Sequence, residues 1–150
     1  MSQVFQLQFA VRWAEIDFNA HMRNTAYLEY ASHVRCCYFQ QHGFSTAEFQ
    51  QQRFGPVVFQ DDIRYFKEVH MLEQITVRLL LAGLSPDAYR FRLCNQFIRE
   101  DGQNAATLYS NGGFIDLDKR KLITPPAGVN TLLNDLSRSE DFSVLAGRKA

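Results

Sequence analysis

The stretch RWAEIDFNAHMRNTAYLEY, residues 12–30, passes from a strand pattern through a polar turn into a helix pattern. Upstream of the turn, apolar and polar side chains alternate, and this period of two predicts a β-strand over residues 4–13. The apolar face of that strand would hold Phe5, Leu7, Phe9, Val11 and Trp13. The polar turn covers residues 15–21 and places Asp17 shortly before the helix pattern begins.

Downstream of the turn, residues 26–41 contain neither glycine nor proline and predict one long helix. Asn24 or Thr25 is the expected N-cap, and Gly43 suits the C-terminal end. Apolar side chains recur at spacings of three and four, at Tyr27, Tyr30, Ala31, Val34 and Tyr38. The opposite face carries Glu29, His33 and Gln40. A second, short helix is expected after Ser45, because Glu48 follows at the capping-box spacing.

The remainder of the chain is dominated by strand patterns, over residues 57–67, 74–84, 89–99 and 105–117. Turn signals separate the last three strands, at residues 85–87 and 100–103. The pair Gly112-Gly113 indicates a bulge or a close backbone approach within the last strand. From Val129 onward we expect one short helix and a loose end.

This order of elements predicts an α+β fold in a single domain, residues 1–150, because one amphipathic helix is available to cover one face of a sheet. Sixteen basic and sixteen acidic residues cancel, so neither nucleic acid nor an anionic membrane is an expected partner. The N-terminus lacks a signal-peptide pattern, and no apolar run reaches the length of a membrane helix. We therefore expect a cytoplasmic protein.

Metal and disulfide chemistry are not expected from the sequence. The three cysteines are Cys36, Cys37 and Cys94; two are adjacent, and an odd number does not form a disulfide framework. No CxxC motif occurs and the four histidines are scattered, so we predict no metal site and no cofactor. The cysteines are interpreted as reduced and mostly buried in the core.

Asp17 is the leading catalytic candidate because it lies between a strand and the start of a helix. The unpaired N–H groups at a helix start can polarise a carbonyl group and hold the oxyanion that forms from it. A carboxylate beside them can attack the carbonyl carbon or activate a water molecule. The alternative is that Asp17 only shapes the turn. His21 could orient Asp17, contact a substrate or be a turn histidine, and Asn24 could supply an oxyanion N–H or cap the helix.

The segment from Asp17 to Tyr27 resembles the 4-hydroxybenzoyl-CoA thioesterase-like family, in which a strand ends in Asp-x-x-Gly-His-x-Asn-Asn and a tyrosine follows. Residues 63–68, IRYFKE, resemble the family's central strand, and Arg35 resembles its helix arginine. The resemblance extends over roughly residues 5–126. The chain departs from the pattern at Ala20, where glycine is usual, and at Arg23, where asparagine is frequent; Lys67-Glu68 replaces a usual Pro-Ala.

The resemblance implies a hotdog fold, one long central helix wrapped by a curved antiparallel sheet of about five strands. It also implies an acyl-CoA thioesterase with Asp17 as nucleophile or general base, acting with His21 and Asn24. Substrate-binding residues would be Tyr27, Tyr65, Phe66 and Lys67, although Tyr27 also fits a core role. The partners implied are acyl-CoA and a second copy of the chain, in a homodimer or homotetramer, with residues 59–67 lining the partner's pocket.

Several alternatives remain at this stage. The same pocket could belong to a non-catalytic module that binds acyl-CoA or an acyl-carrier protein. A hotdog hydratase or a small interaction domain without a ligand are further alternatives. Three basic residues, Arg64, Lys67 and Arg99, are candidates for contact with the CoA phosphates. Arg35 could pair with an acid of a neighbouring subunit or be solvated.

Overall fold

The computed structural model describes residues 3–149, which form seven strands, three α-helices and one 3₁₀ turn. The strands are β1 Phe5–Ala10, β2 Phe54–Tyr65, β3 Gln74–Leu84, β4 Arg90–Ile98, β5 Asn104–Asp116, β6 Leu122–Ile123 and β7 Arg138–Val144. The helices are α1 Asn24–Gln41, α2 Thr46–Gln52 and α3 Ala127–Asn134, and the 3₁₀ turn is Trp13–Glu15. Among these residues no helix is both long enough and apolar enough to cross a membrane.

All seven strands belong to one sheet, whose main path runs β1-β3-β4-β5-β2 in antiparallel pairs. The short strand β6 pairs with β5, and β7 pairs with β3 in parallel. The prediction of about five strands was therefore wrong: it described the main path and missed β6 and β7. The fold description named only the long helix, but the two short helices expected after Ser45 and from Val129 are present as α2 and α3.

The longest helix, α1, has 18 residues and packs against β3 and β1. Its predicted apolar face is buried, and the three polar positions opposite are exposed. Buried side chains of α1 join those of β3, β4 and β5 in one apolar core. The period of three to four residues therefore identified correctly which face of this helix meets the sheet.

The ends of the helices follow local capping chemistry, with one exception. Ser45 caps α2 by accepting a hydrogen bond from the N–H of Glu48 at 3.1 Å, as predicted. Gly43, just beyond α1, has a φ of 89°, which suits a residue without a side chain. The prediction for the N-terminus of α1 was wrong, because Asn24 is the first residue of the helix and Arg23 holds the cap position without a side-chain cap.

The Gly112-Gly113 pair lies where backbones approach closely. A Cβ atom on Gly113 would be 2.8 Å from the backbone oxygen of Tyr89, and one on Gly112 would collide with the backbone of Val57. The pairing register of β2 shifts between Val58 and Gln60, opposite these glycines. The predicted close approach is confirmed, whereas the bulge lies in the partner strand β2 and not at the glycines themselves.

The first strand ends earlier than predicted. It stops at Ala10, and the backbone N–H of Val11 donates to the oxygen of Glu73 at 3.0 Å. Trp13 begins the 3₁₀ turn and is 80% exposed, so its assignment to the inner face of the strand was wrong. Apolar and polar side chains continue to alternate after Ala10, the last residue that pairs with β3. The alternation alone therefore does not show where the strand ends.

Candidate active site

The loop from Ile16 to Met22 is closed on itself by backbone contacts. A bridge joins Ile16 to Met22, and the N–H of Asp17 donates to the oxygen of His21 at 2.9 Å. Oδ1 of Asp17 accepts the N–H of Asn19 at 2.8 Å and that of His21 at 3.2 Å. Asp17 therefore shapes the turn in which it lies, and its Oδ2 takes no hydrogen bond from residues 3–149.

Ala20 occupies a conformation that side chains rarely adopt. Its φ is 63°, and its N–H donates to the oxygen of Asp17 at 3.1 Å. The left-handed region costs roughly 1 kcal/mol or more for a residue with a Cβ atom. This backbone conformation explains why the 4-hydroxybenzoyl-CoA thioesterase-like family usually has glycine at the position of Ala20.

A pocket of about 350 Å³ opens beside this loop. It is lined by all seven residues singled out from the sequence, namely Asp17, His21, Asn24, Tyr27, Tyr65, Phe66 and Lys67. Met22 and Glu68 complete the lining. The structure therefore brings the predicted residues together, and their chemical roles stay predictions.

The second wall of the pocket comes from the same chain. Tyr65 ends β2, and the N–H groups of Phe66 and Lys67 both donate to the oxygen of Ala105, at 2.7 and 3.1 Å. The hydroxyl of Tyr65 lies 3.5 Å from the backbone oxygen of Asn24. Within one chain, Tyr65, Phe66 and Lys67 lie beside Asp17. The expectation that residues 59–67 line the partner's pocket stays a prediction.

Tyr27 forms the floor of the pocket. It is buried, and its ring meets Tyr65 edge-on at 5.2 Å and Phe97 at 5.0 Å between centroids. Burial raises the pKa of Tyr27 to about 12, so the hydroxyl is neutral at physiological pH. This environment suits an apolar wall better than acid–base chemistry.

The start of α1 meets the same pocket at Asn24. The first N–H groups of an α-helix have no intrahelical acceptor and carry partial positive charge. A carbonyl oxygen held there would be polarised, while the carboxylate of Asp17 lies across the same pocket. This pairing of an oxyanion site with a carboxylate is suited to acyl transfer.

Glu15 anchors the loop and was not identified from the sequence. Its side chain is 4% exposed, and Oε1 accepts the backbone N–H of Arg12 at 2.8 Å. Its backbone oxygen accepts the N–H of Arg23 at 2.7 Å. These bonds fix both ends of the segment that carries Asp17. Glutamate is rarely buried in proteins, so nothing in the sequence singles out Glu15. Its burial becomes visible only in the folded chain.

Within residues 3–149, the hydrogen bond from His21 to the carboxylate of Asp17 comes from its backbone N–H and not from its ring. The ring lies against His70 instead, with centroids 5.3 Å apart and planes at 82°. Glu68 is close to both histidines. The pKa of Glu68 lies below its ordinary value, first because its own backbone N–H bonds the carboxylate and then because His21 is near.

Arg35 is not on a solvated helix face, because its guanidinium bonds to the sheet of its own chain. Its Nε and Nη2 donate to Oδ1 of Asn95 at 3.1 and 2.8 Å, and Nη2 also donates to Oγ of Ser110 at 2.6 Å. Ser110 in turn donates to Asp61. Burial lowers the pKa of Arg35 to about 10, against the opposing effect of Asp61. The guanidinium therefore joins α1 to the sheet within one chain.

Of the three candidate phosphate contacts, only Lys67 lines the pocket. Arg64 is exposed on β2 with Asp62 at 3.6 Å. Arg99 has Glu73 at 3.6 Å and Asp101 at 3.3 Å, and donates to the backbone oxygen of Glu68. Lys67 is therefore the basic side chain placed to meet a ligand of this pocket.

A second pocket, of about 380 Å³, lies between α1, α2 and β2. Its lining includes the aromatic residues Phe39, Phe49, Phe54 and Phe91, together with the thiol of Cys36. None of the residues around Asp17 borders it. Among the residues that the structure describes, no carboxylate and no histidine lines this pocket, whereas the pocket at Asp17 combines both with the start of a helix. The pocket at Asp17 is therefore the candidate active site.

The fold and site place the protein in the hotdog class, as the sequence predicted. The model of the thioesterase-like superfamily matches residues 11–133, and the chain belongs to this superfamily. A comparison with curated protein sequences finds no significant match.

Solved structures share the fold. A protein from Staphylococcus aureus, solved in complex with CoA, has 21% identity and a TM-score of 0.84, with 99% of this chain and 92% of that chain covered. A 1,4-dihydroxy-2-naphthoyl-CoA thioesterase from Synechocystis has 19% identity and a TM-score of 0.79, covering 89% and 98%. A DHNA-CoA thioesterase from Staphylococcus aureus has 20% identity and a TM-score of 0.78, covering 87% and 89%.

Proposed function

We propose that this protein is an acyl-CoA thioesterase of the 4-hydroxybenzoyl-CoA thioesterase-like kind, with Asp17 as nucleophile or general base. The observation that carries the proposal is that Asp17 and the first residue of α1 line one pocket. Membership in the thioesterase-like superfamily supports the reaction class. A structural neighbour solved with CoA, and two neighbours that are thioesterases of 1,4-dihydroxy-2-naphthoyl-CoA and DHNA-CoA, support the substrate class.

The thioester carbonyl would lie between the helix start and Asp17. Backbone N–H groups at Asn24 and Thr25 stabilise the negative charge that develops on the carbonyl oxygen. As general base, Asp17 takes a proton from water while the water oxygen bonds to the carbonyl carbon. The carbon–sulfur bond then breaks, and the CoA thiolate takes the proton that Asp17 holds. As nucleophile, the carboxylate bonds to the carbonyl carbon and displaces the CoA thiolate, which leaves a mixed anhydride. Water then hydrolyses the anhydride to the free acid and the Asp17 carboxylate, and the second proton of the water goes to the thiolate.

The remaining pocket residues have positioning roles in this proposal. Tyr27, Tyr65 and Phe66 provide the apolar wall against the acyl group. His21 holds Asp17 through its backbone N–H and offers its ring to the substrate. Lys67 supplies positive charge toward the CoA phosphates.

Hydrolysis of a panel of acyl-CoAs tests the proposal: straight chains of graded length together with benzoyl and phenylacetyl thioesters. The informative variant is Asp17→Asn, because its amide oxygen still accepts the two N–H bonds that close the turn. We expect kcat to fall on the order of 100-fold or more, because an amide can neither attack nor accept the proton. Asp118→Asn is the matched control, since Asp118 is an exposed aspartate paired with Arg53 away from the pocket.

The alternative is a module that binds acyl-CoA or an acyl-carrier protein without hydrolysis. It predicts no turnover by the wild type and equal affinity of the wild type and Asp17→Asn for a non-hydrolysable acyl-CoA thioether. Turnover that is unchanged in a folded Asp17→Asn protein would remove Asp17 from the mechanism while leaving the thioesterase assignment in place.

A further inference from the structure

Three side chains with metal-binding atoms converge at the rim of the Asp17 pocket. They are His21, Glu68 and His70, here termed the His–Glu cluster. Each offers one ligand atom, and the three atoms lie within 4.8 Å of one another. His21 and Glu68 also line the pocket, so the cluster adjoins the candidate active site.

The backbone holds the two segments of the cluster in register. The N–H of Met22 donates to the oxygen of Val69 at 2.7 Å. Met22 and Val69 are buried, with 4% and 0% exposure, so this contact belongs to the core. His21 precedes Met22, while Glu68 and His70 flank Val69. A buried backbone link therefore presents the three side chains at the surface together.

A carboxylate lies near His70, as is usual for metal-binding histidines. Oε1 of Glu73 accepts the backbone N–H of His70 at 3.1 Å and lies 3.8 Å from Nδ1 of its ring. A small approach of this carboxylate to Nδ1 would orient the ring for metal binding. The positive charge of the nearby Arg99 would not repel a metal ion, because it is neutralised by Glu73 at 3.6 Å and Asp101 at 3.3 Å.

We propose that the His–Glu cluster is a binding site for a divalent transition metal of the Zn²⁺ class. Two imidazoles and one carboxylate suit Zn²⁺ and its neighbours, whereas Mg²⁺ and Ca²⁺ prefer oxygen ligands alone. Three protein ligands leave a coordination position for water. Ligand atoms in tetrahedral zinc sites are roughly 3.3 Å apart. The ligand atoms of the cluster therefore approach one another by at most about 1.5 Å on binding, which the exposed side chains of Glu68 and His70 permit.

Metal binding by the full chain tests this directly and does not depend on hydrolysis. Cys36 and Cys37, with His33 beside Cys37, form a second potential ligand set. The parent protein for the test is therefore the Cys36→Ser, Cys37→Ser double variant. Equilibrium dialysis against Zn²⁺ at neutral pH should give one ion per chain. With Co²⁺, visible d–d absorption should appear without the sulfur-to-cobalt charge-transfer band.

Ligand variants in this parent locate the ion. His70→Gln and Glu68→Gln should each weaken Zn²⁺ binding by at least about 100-fold, and Glu73→Gln by about 10-fold through His70. His42→Gln is the matched control, because its ring stacks on Tyr38 away from the cluster, and it should bind Zn²⁺ like the parent. The proposal is overturned if the parent binds no ion, or if His70→Gln and Glu68→Gln bind as tightly as the parent.

Discussion

The hydroxyl of Tyr30 donates a 2.6 Å hydrogen bond to Oε1 of Glu15. This contact ties the middle of α1 to the turn that precedes Asp17. Burial acts to raise the pKa of Glu15, but hydrogen bonds from Tyr30 and Arg12 outweigh it, so the pKa lies below its ordinary value of 4.5. The folded protein therefore favours the charged form of Glu15.

Glu15→Gln should destabilise the protein in a pH-dependent way. At pH 7 we expect a loss of about 1 to 3 kcal/mol, because hydrogen bonds to a charged acceptor are replaced by weaker ones. A depressed folded-state pKa contributes stability above the unfolded pKa and loses it as pH falls. The difference between wild type and variant should therefore shrink below about pH 4.5. Urea unfolding at pH 7 and pH 4, at equal protein concentration, measures it; a constant difference would contradict the assignment.

Ala20→Gly should stabilise the protein by about 0.5 to 1 kcal/mol, because the φ of 63° strains alanine but not glycine. Ala47→Gly is the matched control. Ala47 lies within α2, where the same substitution should cost up to about 1 kcal/mol. Urea midpoints of the two variants should move in opposite directions. A lower midpoint for Ala20→Gly would show that entropy of the unfolded chain outweighs the strain.

Arg35→Met should cost about 1 to 3 kcal/mol, because it removes a charged donor from the buried acceptors Asn95 and Ser110. Arg64→Met removes an arginine that is 75% exposed and paired at 3.6 Å, and should cost less than about 1 kcal/mol. Chemical unfolding of both variants measures the loss in the free energy of unfolding for each. Similar losses would mean that the Arg35 network adds little to stability.

The protein should be at least a homodimer, as predicted from the sequence, and a homotetramer is compatible with it. β2 ends the main path of the sheet and pairs with β5 on one side, and its Val58 and Phe59 are exposed. A long edge strand with exposed apolar side chains favours pairing with a second copy. Val58→Lys should shift light-scattering mass toward the monomer, whereas Val144→Lys on β7 should not. A monomeric wild type at micromolar concentration would contradict the prediction.

Local sequence patterns predicted most of the elements well. β3 has the predicted bounds, and β4 and β5 differ from their predicted bounds by one residue at each end. β7 was missed because the parallel partner that stabilises it, β3, lies far away in the sequence. The N-cap of α1 was misplaced because the backbone of Arg23 is held by Glu15, a tertiary contact, and not by a side-chain cap. In each case the error lies where a distant contact overrides a local preference.

Local patterns in the sequence were enough to predict the buried face of α1, the β3–β4 and β4–β5 hairpins and the motif around Asp17. All of these depend on neighbours within a few residues, where periodicity, turn residues and capping act. The strand order of the sheet, and the residues that meet across long separations, depend on the folded chain. Arg35 reaches Asn95 and Ser110, which are 60 and 75 positions away, and His21 meets His70. Such contacts depend on strand register and core packing, which involve the whole chain. They produce no periodic pattern that could be recognised in the sequence.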